Sequence, residues 1–126
     1  MPNSTCVFCS GVQSRVVLAN ELAFAIYDGF PVTPGHTLII PKRHVGEYFD
    51  LTRDELLACD ELLRALHDKI MAEDSQVQGF NLGVNAGAVA GQTIFHCHIH
   101  LIPRRAGDVS EPRGGVRHVI PGKGYY

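Results

Sequence analysis

The chain has no tryptophan and only two methionines. No apolar run approaches the roughly 20 residues that a membrane-spanning helix needs, so no membrane partner is expected. The first residues, Met1 to Thr5, carry neither the basic segment nor the apolar stretch of a secretory leader, which makes the cytoplasm the expected compartment. Charge of either sign is also scarce. Thirteen acidic residues against eleven basic ones give a net charge of -2, and that offers no general electrostatic case for nucleic acid as a partner. The exception is a locally basic tail carrying Arg104, Arg105, Arg113, Arg117 and Lys123. Such a run is more often a solvated surface than a partner site, with a polyphosphate substrate as the rival explanation. Internal repeats and low-complexity segments are absent. With 126 residues, 45% of them apolar, the chain fits one domain over 1–126, with an irregular C-terminal tail from about residue 104.

The local patterns predict an α+β domain with an antiparallel sheet of about five strands and one long helix. Val16 to Ala19 and Ala23 to Tyr27 read as strands around a turn at Asn20-Glu21. The Gly- and Pro-containing stretch from Asp28 to Gly35 is a loop, after which His36 to Ile40 resumes a strand closed by Pro41. Thr52-Arg53-Asp54-Glu55 is a capping box that opens a helix from Leu51 to about Ala72, with Leu56, Cys59, Leu63, Leu66 and Ile70 at helical spacing. His67 lies on this helix as a surface residue. Phe80 to Val84 and Ile94 to Ile102 are the remaining strands.

The most informative stretch is Phe95-His96-Cys97-His98-Ile99-His100-Leu101-Ile102. Alternate side chains of a strand point to opposite faces, so His96, His98 and His100 are expected together, with Phe95, Cys97, Ile99 and Leu101 facing the core. Same-face neighbours lie roughly 6 to 7 Å apart, close enough for three imidazoles to serve one phosphate-sized group or to divide themselves between substrate and metal. A single histidine would read as a solvated surface residue. Three in register read as a site.

Four cysteines without a leader argue against a disulfide framework. Cys59 and Cys97 fall on apolar faces and read as buried small hydrophobes. Cys6 and Cys9 stand in C-x-x-C spacing, which lets two thiolates grip one metal. A structural zinc site needs two more ligands, and His44 and His96 are available to supply them. Reduced free thiols are the alternative, and a thioredoxin-like redox role is weaker because the pair does not open a helix after a strand.

The pattern of histidines alternating with apolar residues resembles the signature of the histidine triad family of nucleotide hydrolases and transferases. Gly91-Gln92-Thr93 ahead of the triad, Asn85 upstream, and the block Pro34-Gly35-His36-Thr37-Leu38-Ile39-Ile40-Pro41 extend the resemblance over most of the chain, from Cys6 to about Asp108. It implies a sheet continued across a homodimer and an enzyme that acts on a purine nucleotide substrate, with no organic cofactor. On this resemblance His98 is the nucleophile that forms a covalent nucleotidyl-histidine. His100 hydrogen-bonds phosphate oxygen and counters the charge of the transition state. Asn85, Gln92 and Thr93 hold the α-phosphate, Asp28 accepts the ribose hydroxyls, and His36 packs beside His98. Related enzymes, including galactose-1-phosphate uridylyltransferases, place a C-x-x-C pair, a histidine like His44 and the first triad histidine around zinc. Ala90-Gly91-Gln92-Thr93 and Pro103 to Asp108 resemble the fragile-histidine-triad branch, which cleaves dinucleoside polyphosphates and releases a nucleoside monophosphate. In such an enzyme Arg104 and Arg105 would suit the extra phosphates. The cysteine pair and His44 depart from that branch's best-known members and resemble a bacterial relative with a zinc knuckle. Other readings are a nucleoside phosphoramidase, a nucleotidyl transferase, and a nucleotide-binding adaptor with incidental catalysis.

Overall fold

The structure is a computed structural model that describes residues 5–126; the leader reading of Met1 to Ser4 lies outside the described residues. Five strands, β1 (Val16–Ala19), β2 (Ala23–Tyr27), β3 (Thr37–Pro41), β4 (Val77–Gly83) and β5 (Ile99–Arg105), form one antiparallel sheet in the order β1-β2-β3-β5-β4. The single long helix, α1 (Arg53–Glu73), lies between β3 and β4 in sequence.

Each face of the sheet has its own cover, which explains the apolar alternation. Ala23, Ala25, Ile39, Ile99 and Leu101 pack against Cys59, Leu62, Leu66 and Ile70 of α1. On the opposite face Phe24, Ile26, Leu38 and Ile40 are covered by Phe8 and Val12 from the N-terminal segment. The cysteine knuckle therefore sits on the face away from the helix.

The capping box forms as the sequence predicts: Thr52 Oγ1 accepts from Glu55 N–H at 3.1 Å, and Glu55 Oε1 accepts from Thr52 N–H at 2.8 Å. The buried helix row differs from the predicted stripe. It runs Glu55, Cys59, Leu62, Leu66, Ile70, so Leu62 is buried, Leu63 is partly covered and Leu56 is exposed. A carboxylate can join this row because Arg43 meets it through Nε at 2.8 Å and Nη2 at 2.7 Å.

The last strand also differs: it begins at Ile99 rather than Ile94, and runs on to Arg105. Residues 94–98 cannot extend the ladder because their backbone is used elsewhere. Cys97 N–H donates to Val45 O at 2.7 Å, and the His96 carbonyl accepts from a side chain. Phe95, expected in the core, is consequently half exposed. At the other end, β3 has already stopped opposite Leu101. Pro103 therefore sits where β5 has only β4 beside it, a place that tolerates a residue without an N–H. β5 ends at Arg105, and the tail beyond it carries a 3₁₀ turn over Gly115–Val119.

Candidate functional site

Only His98 and His100 of the triad keep the expected companionship. His100 is on β5 and His98 stands one residue ahead of it, with their ring centroids 5.2 Å apart. Phe8 packs edge-on against the His98 ring at 5.1 Å. His96 turns away into the interior and is fully buried.

Hydrogen-bond partners fix the tautomers. A carbonyl only accepts, so His98 Nδ1–H donates to His96 O at 2.8 Å, leaving the lone pair on His98 Nε2. By the same argument His96 Nε2–H donates to Pro41 O at 2.8 Å, and its Nδ1 lone pair faces Cys6 Sγ at 3.4 Å and Cys9 Sγ at 3.5 Å. His44 Nδ1 lies 3.1 Å from Cys9 Sγ. The four donor atoms lie within 4.8 Å of one another. Tetrahedral coordination with bonds of roughly 2.0 to 2.3 Å spaces nitrogen and sulfur donors about 3.5 Å apart, so this set can bind a metal. No disulfide joins any of the four cysteines among the described residues.

A second chain of bonds sets His100. Val32 N–H donates to His36 Nδ1 at 3.0 Å, so the His36 proton is on Nε2, which donates to His100 Nδ1 at 2.9 Å. His100 then carries its own proton on Nε2. Burial, with His98 and His36 nearby, pushes the His100 pKa down to about 4, so the ring is a neutral donor at pH 7. Burial also lowers His36, opposed by Asp28, whose Oδ2 is 3.4 Å from His36 Nε2. The expected neighbour of His36 was His98; the structure puts it against His100.

The remaining expected residues divide. Asp28 stands beside His36, its other oxygen accepting from Phe30 N–H at 2.8 Å to brace the turn. Asn85 is exposed and its side chain has no hydrogen bond to a described residue. Thr93 lies in a shallow cleft with Cys6, His44 and Phe95, beside the metal-ligand cluster. Gln92 is buried and already committed. Its amide accepts from Gly87 N–H at 2.9 Å and donates to Gly46 O at 2.7 Å and Ile94 O at 3.1 Å, so it braces the loop and has no amide hydrogen left for a phosphate.

Arg104 and Arg105 are likewise paired within the chain. Arg104 makes a two-pronged pair with Asp108 at 2.8 Å through each of Nε and Nη2, and Nη1 donates to Asn81 Oδ1. Arg105 belongs to the helix side of the sheet, opposite His100, where Nη2 donates to Asp74 Oδ2 at 2.7 Å and Pro34 O at 2.9 Å. Asp108, four residues after Arg104, is the sequence signal that would have revealed the pairing. Phe8 was also missed; its position between the two cysteines was the available signal.

A family model described as the HIT domain matches residues 10–107. A HIT-like protein of Mycoplasma pneumoniae is 42% identical over 108 residues, 82% of this chain and 74% of the relative. A bis(5'-adenosyl)-triphosphatase of Dictyostelium discoideum is 39% identical across 76% of this chain and 64% of its own length. A bis(5'-nucleosyl)-tetraphosphatase of Schizosaccharomyces pombe is 36% identical across 79% of this chain and 54% of its own length. Among solved structures, a HIT family protein from Bacillus anthracis superposes with a TM-score of 0.74 at 40% identity, covering 81% of this chain and 74% of that one. A zinc-bound histidine triad family protein from Mycobacterium smegmatis gives 0.75 at 32% identity, covering 82% and 78%.

Proposed function

The chain belongs to the HIT domain family, and from that premise we propose that it is a nucleotide hydrolase that cleaves dinucleoside polyphosphates at the α-phosphate, releasing a nucleoside monophosphate. The observation that carries this reading is the His98 Nε2 lone pair, held in place by the donation from Nδ1 to the His96 carbonyl. Nε2 attacks the α-phosphorus, the P–O bond to the bridging oxygen breaks, and the electron pair leaves with the remaining polyphosphate. His100 Nε2–H faces the developing charge and supplies the hydrogen bond that lowers it. Water then attacks the phosphorus of the nucleotidyl-histidine and gives up a proton to solvent, the P–N bond breaks with its electron pair returning to His98 Nε2, and the nucleoside monophosphate leaves. The names of the Dictyostelium and fission yeast relatives support the substrate class.

Phosphoramidates are the second reading, and the pairing of Arg104 with Asp108 and of Arg105 with Asp74 favours it by removing two expected polyphosphate contacts. Side-by-side turnover of a diadenosine polyphosphate and an adenosine phosphoramidate separates the two; a chain that binds mononucleotide and turns over neither is an adaptor. The covalent step is tested with a substrate chiral at phosphorus. Two displacements give retention, and inversion overturns the nucleotidyl-histidine.

Cys6, Cys9, His44 and His96 would hold zinc as a structural ion, supported by their donor spacing and by the zinc-bound mycobacterial relative. Bound there, an ion would tie the N-terminal knuckle to the segment that follows β3 and the segment that precedes β5, two adjacent inner strands of the sheet. A homodimer with its sheets joined is part of the same reading, and sedimentation of the purified chain decides it. Among the described residues no helix is long and apolar enough to cross a membrane.

A further inference from the structure

Arg104 and Arg105 are paired, whereas two arginines of the tail keep their guanidinium groups clear of carboxylates, Arg113 meeting Glu111 Oε1 only through its backbone N–H at 3.0 Å. Arg113 and Arg117 place their guanidinium carbons 4.6 and 4.8 Å from the centroid of one ring, that of Tyr126. Among the described residues neither guanidinium has an ion pair; Arg117 Nε donates at 3.3 Å to Gly124 O, and no other hydrogen bond of either guanidinium is seen. Two like charges drawn to one ring repel each other, and that arrangement is relieved by an anion set between them.

This segment is built rather than loose. His118 Nε2–H donates to Arg113 O at 2.8 Å, and Tyr125 packs edge-on against the His118 ring at 4.5 Å. Gly124 is buried against His118, where any Cβ would overlap the ring; a Cβ at Gly114, which holds φ +98°, would overlap Gly124 O. Only glycine fits at either place, so the sequence itself closes the tail and holds the two arginines.

The tail also lies on the correct side of the sheet. Gly115 sits against Asn81 Nδ2. Asn81 pairs with Ile102, and Gly83 pairs with His100, so Asn81 shares the face of His100 and stands two residues, roughly 7 Å, farther along. Resting on the proposed hydrolase reading, we infer that Arg113 and Arg117, closed over Tyr126, form an anion clamp for the phosphates of the substrate beyond the one attacked.

Calorimetric titration of the full chain with inorganic tripolyphosphate tests the clamp without any turnover. One tripolyphosphate is expected per chain, and Arg113→Ala with Arg117→Ala should weaken it by about tenfold or more. Lysine at both positions, which keeps the charge if alanine unseats the tail, should retain part of the affinity, and Gly124→Val should lose it. Equal affinity in wild type and the double alanine variant overturns the clamp, as does preference for an RNA oligonucleotide with tripolyphosphate ignored. In kinetics, the alanine pair should raise KM for a dinucleoside polyphosphate more than for an adenosine phosphoramidate; equal rises overturn the clamp. Arginine-dependent tripolyphosphate binding in a chain that cleaves no dinucleoside polyphosphate keeps the clamp and removes the hydrolase reading. Cleavage with KM and tripolyphosphate affinity indifferent to both arginines does the reverse.

Discussion

At the scale of single residues, the site is a set of imidazoles whose tautomers are dictated by what their second nitrogen touches. His98→Ala removes the attacking lone pair and should cost several powers of ten in kcat, roughly 10⁶ where catalytic partners act as one unit. Rapid-quench mass spectrometry should find the nucleotidyl adduct in the wild type and none in the variant. His36 touches His100 rather than the reacting atoms, so it is a positioning residue. His36→Ala frees the His100 ring to turn or take the other tautomer, and a loss of about one to two powers of ten in kcat with KM little changed is expected. A rise in KM alone would assign His36 to substrate binding instead.

At the scale of elements, the start of α1 is held by one carboxylate with two duties, capping Thr52 and pairing with Arg43. The Arg43 hydrogen bond, acting against burial, lowers the Glu55 pKa from 4.5 to about 2. A folded-state value below the unfolded one contributes stability above pH 4.5 and loses it as pH falls from there towards 2, at most about 3 kcal/mol. Glu55→Gln should therefore lower Tm at pH 7 and flatten its fall between pH 5 and pH 2, measured by thermal melts across that range. An unchanged acid slope would show that other carboxylates govern it.

Elements also show where the sequence was legible. The first three strands and the helix cap were readable because their information is local: alternation, a Thr-x-x-Glu box, a proline. The helix row and the start of β5 were not. Leu62 or Leu63 could each extend an apolar stripe, and the choice depends on Glu55 finding Arg43 from another segment. His96 reads as a strand residue until the cysteines 90 residues away turn it inward. Gln92, Arg104 and Arg105 were chemically apt for phosphate, but their partners come from the surrounding loops, the helix end and a residue four positions on.

At the scale of the whole molecule, the cysteine knuckle joins three distant pieces of chain, since its donors come from residues 6, 9, 44 and 96. If zinc occupies it, the energy of binding the ion is also folding energy. Cys6→Ser should lower metal content and Tm together, checked by elemental analysis and calorimetry on the same preparation. A Tm that falls with metal content intact would separate the cysteine's packing from its ligation.

His96 belongs to both systems. Its ring faces the thiols, and its carbonyl, in the same residue, aims the ring of His98, the proposed nucleophile. Joining Cys6 to Cys9 in a disulfide, with loss of two protons and two electrons to a mild oxidant, would take both sulfurs from that ring and let the residue shift. Such an enzyme is expected to be inactivated by peroxide and restored by thiol reductants although no cysteine takes part in its chemistry, the oxidative state of the knuckle being read out as nucleophile alignment.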